Sequence, residues 1–142
     1  MRASALCKER GARLTPLRRL VLEFVWDGHK PLGAYDILKR LCGKRGTVAP
    51  PTVYRALDFL LAHGLVHRIE SLNAYTGCPH PDGTHGGQFL ICSSCGAVAE
   101  INDTAINGAI QTSAEDVGFT VGHRTIEVEG LCAECKKAAT AV

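Results

Sequence analysis

Two Cys-x-x-Cys pairs, Cys92-Ser93-Ser94-Cys95 and Cys132-Ala133-Glu134-Cys135, constrain this chain more than any other feature. Four thiolates in two such pairs satisfy a tetrahedral Zn²⁺ ion and leave no coordination position open, so the two pairs must converge in space. The 36 residues between Cys95 and Cys132 exceed the roughly 15–20 of a compact zinc ribbon and leave room for a helix and a strand. Closing so long a loop with a metal stabilises a small domain. With every position filled, the site is expected to be structural. The alternative use of the pairs, as redox disulfides, suits an oxidising compartment better than a reducing one.

The compartment follows from what the chain does not contain. No stretch approaches the roughly 20 apolar residues of a membrane helix, and the Met1-to-Cys7 segment has no apolar signal core, so a cytoplasmic protein without membrane contact is expected. Charge divides the chain in two. Residues 1–71 hold 13 Lys and Arg against 6 Asp and Glu, residues 72–142 hold 3 against 8, and the overall +2 therefore resolves into +7 and −5. One half is built to meet a polyanion and the other is not.

The basic half reads as helices followed by a hairpin. Residues 3–10 form a short first helix ended by Gly11. Thr15-Pro16 supplies an N-cap and a proline at the first helical position, after which Leu17, Leu20, Val21, Phe24 and Val25 recur at helical spacing until Gly28. A third helix starts near Gly33, places Ala34, Ile37, Leu38, Leu41 and Cys42 on one face and is expected to stop at Gly43. A fourth begins at Pro50-Pro51-Thr52, with Val53, Ala56, Leu57, Leu60 and Leu61 on its apolar face and Thr52, Tyr54, Arg55 and Asp58 on the other. Residues 65–70 and 74–76 flank a turn at 71–73 and read as a β-hairpin. Helices followed by a hairpin, with excess positive charge, describe a winged helix-turn-helix whose last helix offers Tyr54 and Arg55 near its N-terminal end, where base edges are read. A plain helical bundle with a solvated basic surface fits the periodicity equally well.

Pro79 to Gly83 cannot continue a helix or a central strand and marks a boundary. Beyond it, residues 88–91 and 97–101 read as strands joined by the first cysteine pair, and residues 104–117 as a helix. Residues 119–129 alternate like a strand, and a cysteine knuckle and frayed tail finish the chain. Three strands and one helix are few for independent stability, which favours a self-pairing homodimer. The fold class expected is α+β: a winged helix-turn-helix domain over residues 1–77, a hinge over 78–84, and a small α/β dimerisation and metal-binding domain over 85–142. Cys7 and Cys42, both on helices, read as small core residues.

A further group of ligand-forming side chains, His67, Cys78, His85 and Glu100, is scattered from the hairpin to the second strand of the acidic half. Spacing alone leaves open a second metal site and ordinary surface or core residues. A hydrolase using this set with Glu100 as base is the enzymatic alternative, but no H-E-x-x-H or comparable catalytic signature accompanies it, and it leaves the basic half unexplained. A non-enzymatic role is expected.

The strings Arg13-Leu14-Thr15-Pro16, Ala34-Tyr35-Asp36, Pro50-Pro51-Thr52-Val53-Tyr54-Arg55-Ala56-Leu57-Asp58-Phe59-Leu60, Phe89-Leu90-Ile91-Cys92-Ser93-Ser94-Cys95-Gly96 and Gly130-Leu131-Cys132-Ala133-Glu134-Cys135 resemble the ferric-uptake-regulator family over nearly the whole chain, most closely its zinc-uptake-regulator branch. The resemblance implies a homodimeric repressor that binds palindromic, AT-rich operator DNA when loaded with metal. It implies base contacts from Tyr54 and Arg55 and phosphate contacts from Arg13, Thr15, Arg18, Tyr35 and Thr52. It also places His67, Cys78, His85 and Glu100 at the ligand positions of a regulatory zinc site, giving two Zn²⁺ per chain.

The soft sulfur of Cys78 favours zinc over the iron or manganese sensed by sister branches, which are the alternative within the family. Those branches carry a histidine cluster before the first cysteine pair, whereas Thr84-His85-Gly86-Gly87-Gln88 holds one histidine. A third metal site is therefore not expected, and His123 is read as structural. A thiol-based redox sensor is the remaining alternative; it would follow oxidants and not zinc.

Overall fold

The computed structural model describes residues 2–27, 30–79 and 87–140. It divides into two compact units, Met1–Gly83 and Thr84–Val142. Of the expected hinge over 78–84 only Cys78 and Pro79 lie among the described residues, and His85 lies outside them.

The first unit packs four helices against a three-stranded sheet. Helix α1 spans Arg2–Glu9, α2 Pro16–Trp26, α3 Ala34–Arg45 and α4 Pro50–Ala62. Thr15 caps α2 by accepting a hydrogen bond from the Arg18 amide at 3.3 Å, and Pro16 follows, where its missing N–H costs nothing. Val21, Leu22 and Val25 of α2, Ile37 and Leu41 of α3, and Val53, Ala56, Leu57 and Leu60 of α4 form one buried cluster, joined by Cys7 from α1 and by Leu65, Val66 and Tyr75. Cys42 is half-buried, its thiol 3.9 Å from the Val48 carbonyl.

Strands β2 (Val66–Ile69) and β3 (Ala74–Gly77) form the hairpin, joined by a 3₁₀ turn at Glu70–Leu72 and by Asn73, which takes φ 47°. A two-residue strand β1 (Leu32–Gly33), which the sequence pattern did not reveal, pairs with the outer side of β3, giving the order β1-β3-β2. The arrangement is a winged helix-turn-helix.

The stop of α3 differs from expectation. Gly43 lies within the helix, and Gly46 ends it at φ 79°, its amide bonded to the Cys42 carbonyl. Gly46, three residues on, takes the positive φ that side chains resist, and α3 closes there.

The second unit is a sheet of order β5-β4-β6, with β4 at Gln88–Cys92, β5 at Val98–Ile101 and β6 at Ile126–Gly130. β4 and β5 are antiparallel, whereas β6 runs parallel to β4, so the chain crosses from one edge to the other through α5 (Thr104–Asp116). Two expectations are corrected here. Residues 119–125 alternate but form no strand pairing among the described residues, and the strand spans Ile126–Gly130, opposite Gln88–Cys92 of β4. The frayed tail is instead helix α6 (Ala133–Thr140), which begins between Cys132 and Cys135. Among the described residues no helix is long and apolar enough to cross a membrane.

Candidate nucleic-acid interface and metal centres

The apolar stripe of α4 fixes what its other face shows. With Val53, Ala56, Leu57 and Leu60 buried, Tyr54 and Arg55 are left exposed in the first two turns and Thr52 is half-buried. Tyr35, 69% exposed at the start of α3, lies with its ring 5.5 Å from the Lys39 ammonium. Arg13 is exposed ahead of α2. Arg18 is more constrained: its guanidinium sits 3.8 Å over the Phe59 ring of α4 and donates to the Arg13 carbonyl at 2.7 Å. This contact ties α2 to α4 and uses one of five donors. Arg10 donates to the His63 carbonyl at the C-terminal end of α4.

In the second unit the two cysteine pairs converge. The four sulfurs of Cys92, Cys95, Cys132 and Cys135 lie within 4.8 Å of one another, and those of Cys95 and Cys132 are 3.8 Å apart. A tetrahedral Zn²⁺ with bonds of about 2.3 Å spaces its sulfurs by roughly 3.8 Å, so the donor set fits the ion.

Local backbone geometry builds the site. The parallel β4–β6 register brings Cys92 opposite Gly130, two residues before Cys132. Ser93 locks that alignment by donating its amide (2.8 Å) and hydroxyl (3.1 Å) to the Gly130 carbonyl. Gly96, at φ 78°, turns the chain back so that its amide reaches the Cys92 carbonyl.

These contacts set the acidity of the thiols. Backbone hydrogen bonds from Cys95 and then Cys132 lower Cys92 to about 6. For Cys135, a hydrogen bond with Ser94 acts downward, but the thiols of Cys132, Cys92 and Cys95 together with burial push it up to about 12. A cluster in which one thiol is readily ionised and another strongly resists is a site whose negative charge is to be balanced by a cation.

The remaining ligand types are placed as follows. His67 lies on β2 opposite Thr76, and Cys78, buried, directly follows β3 with its amide bonded to the Leu65 carbonyl at 3.0 Å. Their ligand atoms lie within 4.8 Å of each other. Glu100, in the second unit, sits on β5 opposite Phe89. His123 is exposed and precedes β6 instead of lying within it, its Nε2 2.9 Å from the Thr125 hydroxyl.

One functional-looking residue escaped the sequence reading. Gln88, 1% exposed, exchanges two hydrogen bonds with the Asp103 backbone, at 3.0 and 3.1 Å, while Asp103 caps α5 through Ala105. An amide that imitates a strand's own hydrogen bonding leaves no signature in composition or periodicity.

A winged helix whose last helix exposes Tyr54 and Arg55, followed by a small α/β unit in which four cysteine sulfurs converge, defines a metal-dependent DNA-binding regulator. Comparison with known proteins agrees: the model of the "Ferric uptake regulator family" matches residues 9–129, and the chain belongs to that family. It is 42% identical over 134 residues to the zinc uptake regulation protein of Escherichia coli (strain K12), covering 94% of this chain and 78% of that protein. Among solved structures, a zinc uptake regulator complexed with zinc and DNA superposes with a TM-score of 0.93 at 41% identity, over 98% of this chain and 93% of the other. Holo XcZur superposes with a TM-score of 0.87 at 44% identity, over 95% and 94%.

Proposed function

We propose that this chain is a zinc-responsive transcriptional repressor that binds palindromic operator DNA as a metal-loaded homodimer and represses genes for zinc uptake. The observation that carries the reading is the likeness, over nearly the full chain, to a regulator solved with zinc and DNA. Residues 1–77 serve as the DNA-binding domain, 78–84 as the hinge and 85–142 as the dimerisation and metal-binding domain. Tyr54 and Arg55 read bases, while Arg13, Thr15, Arg18, Tyr35 and Thr52 hold phosphates.

Two zinc ions per chain are assigned. Cys92, Cys95, Cys132 and Cys135 hold the structural ion, and His67, Cys78, His85 and Glu100 hold the regulatory one. Two neutral imidazoles, one thiolate and one carboxylate balance the charge of Zn²⁺, which spares a partly buried site an uncompensated charge. When bound, the regulatory ion supplies a tie between wing residues His67 and Cys78 and second-domain residues His85 and Glu100. The two recognition helices of the dimer then face half-sites about one helical turn apart. Each tenfold gain in operator affinity requires about 1.4 kcal/mol of preference for the competent arrangement. The thiolate of Cys78 disfavours the iron and manganese alternative.

Operator binding measured against free zinc, for the wild type and Cys78→Ser, tests this reading. The wild type is expected to hold about two zinc per chain and the variant about one, as two four-ligand sites require, with zinc-dependent binding lost in the variant. Full zinc-dependent binding by Cys78→Ser would remove Cys78 from the site.

A further inference from the structure

Trp26 is the only tryptophan of the chain. It ends α2 with its indole against the backbone of Gly77 in β3: a side-chain carbon at Gly77 would fall inside van der Waals contact with Cδ2, Cε2 and Nε1 of the ring. Strand alternation decides what this contact reaches. Val66 and Gly77 are register partners, as are His67 and Thr76. Val66 and Tyr75 belong to the helical core, so Gly77 shares their face, while His67 and Thr76 project from the opposite one, and Cys78, just past the strand, has its ligand atom within 4.8 Å of that of His67. The indole therefore bears on the strand from the core side, one residue before Cys78, whose thiol lies beside His67. Core packing alone explains the ring poorly, because Trp26 remains 48% exposed.

We infer that Trp26 is a positioning residue for the regulatory metal: seated on Gly77, it fixes the end of β3 against α2 and so holds the Cys78 thiolate within reach of His67. The inference rests on the assignment of Cys78 and His67 as zinc ligands made above. Helix α2, about 16 Å long at 1.5 Å per residue, begins at the Thr15 and Arg18 end read as phosphate-binding and finishes at this seat. A single rigid element thus joins the two functions.

The test compares full-length Trp26→Ala, Gly77→Val, the double variant and Cys78→Ser. Zinc affinity of the second site is measured by chelator competition, and the thiolate-to-metal charge-transfer band is recorded with Co²⁺. Trp26→Ala and Gly77→Val are each expected to weaken the second zinc about tenfold or more and to alter the Co²⁺ band, with one tightly held zinc per chain retained at the four-cysteine site. The double variant, in which valine fills space vacated by the indole, recovers most of the loss. Wild-type affinity and spectrum in Trp26→Ala would overturn the inference even if Gly77→Val failed to fold, as would a double variant no better than the worse single one. A second zinc retained by Cys78→Ser would sink the underlying site assignment instead, so the two failures are distinguishable.

Discussion

At the scale of single residues the sharpest expectations concern protons and bases. Cys92 is drawn from its ordinary value near 9 down to about 6 by backbone N–H groups, whereas Cys135 stands at about 12. In the metal-free fold the Cys92 thiolate adds stability that is complete above pH 9 and disappears as pH falls through about 6. At pH 8 Cys92 is already ionised and releases almost no proton when zinc binds, whereas at pH 5 it releases nearly one; Cys135 releases one at both. Protons released per zinc loaded into the four-cysteine site of Cys78→Ser, followed in weakly buffered solution, should therefore rise by about one from Cys92 as pH drops from 8 to 5. A count that stays level or falls across that range contradicts the assigned acidity. On the DNA side, Arg55→Ala is expected to cost roughly 1–3 kcal/mol of discrimination between operator and random sequence. An unchanged ratio would exclude Arg55 from base reading. The convergence of the four cysteines was legible at this scale because spacing encodes it. Arg18 was only half legible: resemblance gave it a phosphate role, but nothing in the sequence announces its seat over Phe59.

At the scale of elements, glycines near the end of α3 give a paired test. Gly43 lies in the helix with open space where a side chain would start, while Gly46 ends it at φ 79°. Gly43→Ala should stabilise the fold by about 0.5–1 kcal/mol, and Gly46→Ala should destabilise it by about 1 kcal/mol, read from denaturant midpoints. Opposite signs are the decisive feature, and equal effects would place the helix end elsewhere. The same pair shows what sequence could and could not reveal. Helical periodicity located α2, α3 and α4, since each buries one continuous apolar face. It could not choose between two glycines three residues apart, because that choice depends on which carbonyl receives the closing amide. Strand β1 escaped for a related reason: two residues have no period, and Leu32–Gly33 is a strand only because β3 lies beside it. Residues 119–125 show the reverse, an alternating pattern that finds no partner strand among the described residues.

At the scale of the molecule, the second unit leaves apolar surface that one copy does not cover. Leu90 of β4 stands between its register partners Ala99 of β5 and Val128 of β6, on a single face of the sheet. Leu90 and Val128 are 42% and 51% exposed, and Leu131 beyond them 51%. A groove of about 410 Å³ runs along this face beside Cys92 and Cys132. A three-stranded sheet with one crossing helix cannot bury such a row by itself, and a second copy of the same unit is the occupant that a homodimer supplies. In a two-fold interface every substitution counts twice. Burying one Leu or Val side chain contributes about 1.5–3 kcal/mol, and each tenfold change in dissociation constant corresponds to about 1.4 kcal/mol. Leu90→Asp/Val128→Asp should therefore weaken dimerisation by more than about a hundredfold and yield monomers in sedimentation at micromolar concentration. The zinc proposed for the four cysteines should stay in place, because those four sulfurs converge within one chain. A variant that remains dimeric would move the interface off this face, and one that loses its zinc together with the dimer would show that the four-cysteine centre depends on the partner copy.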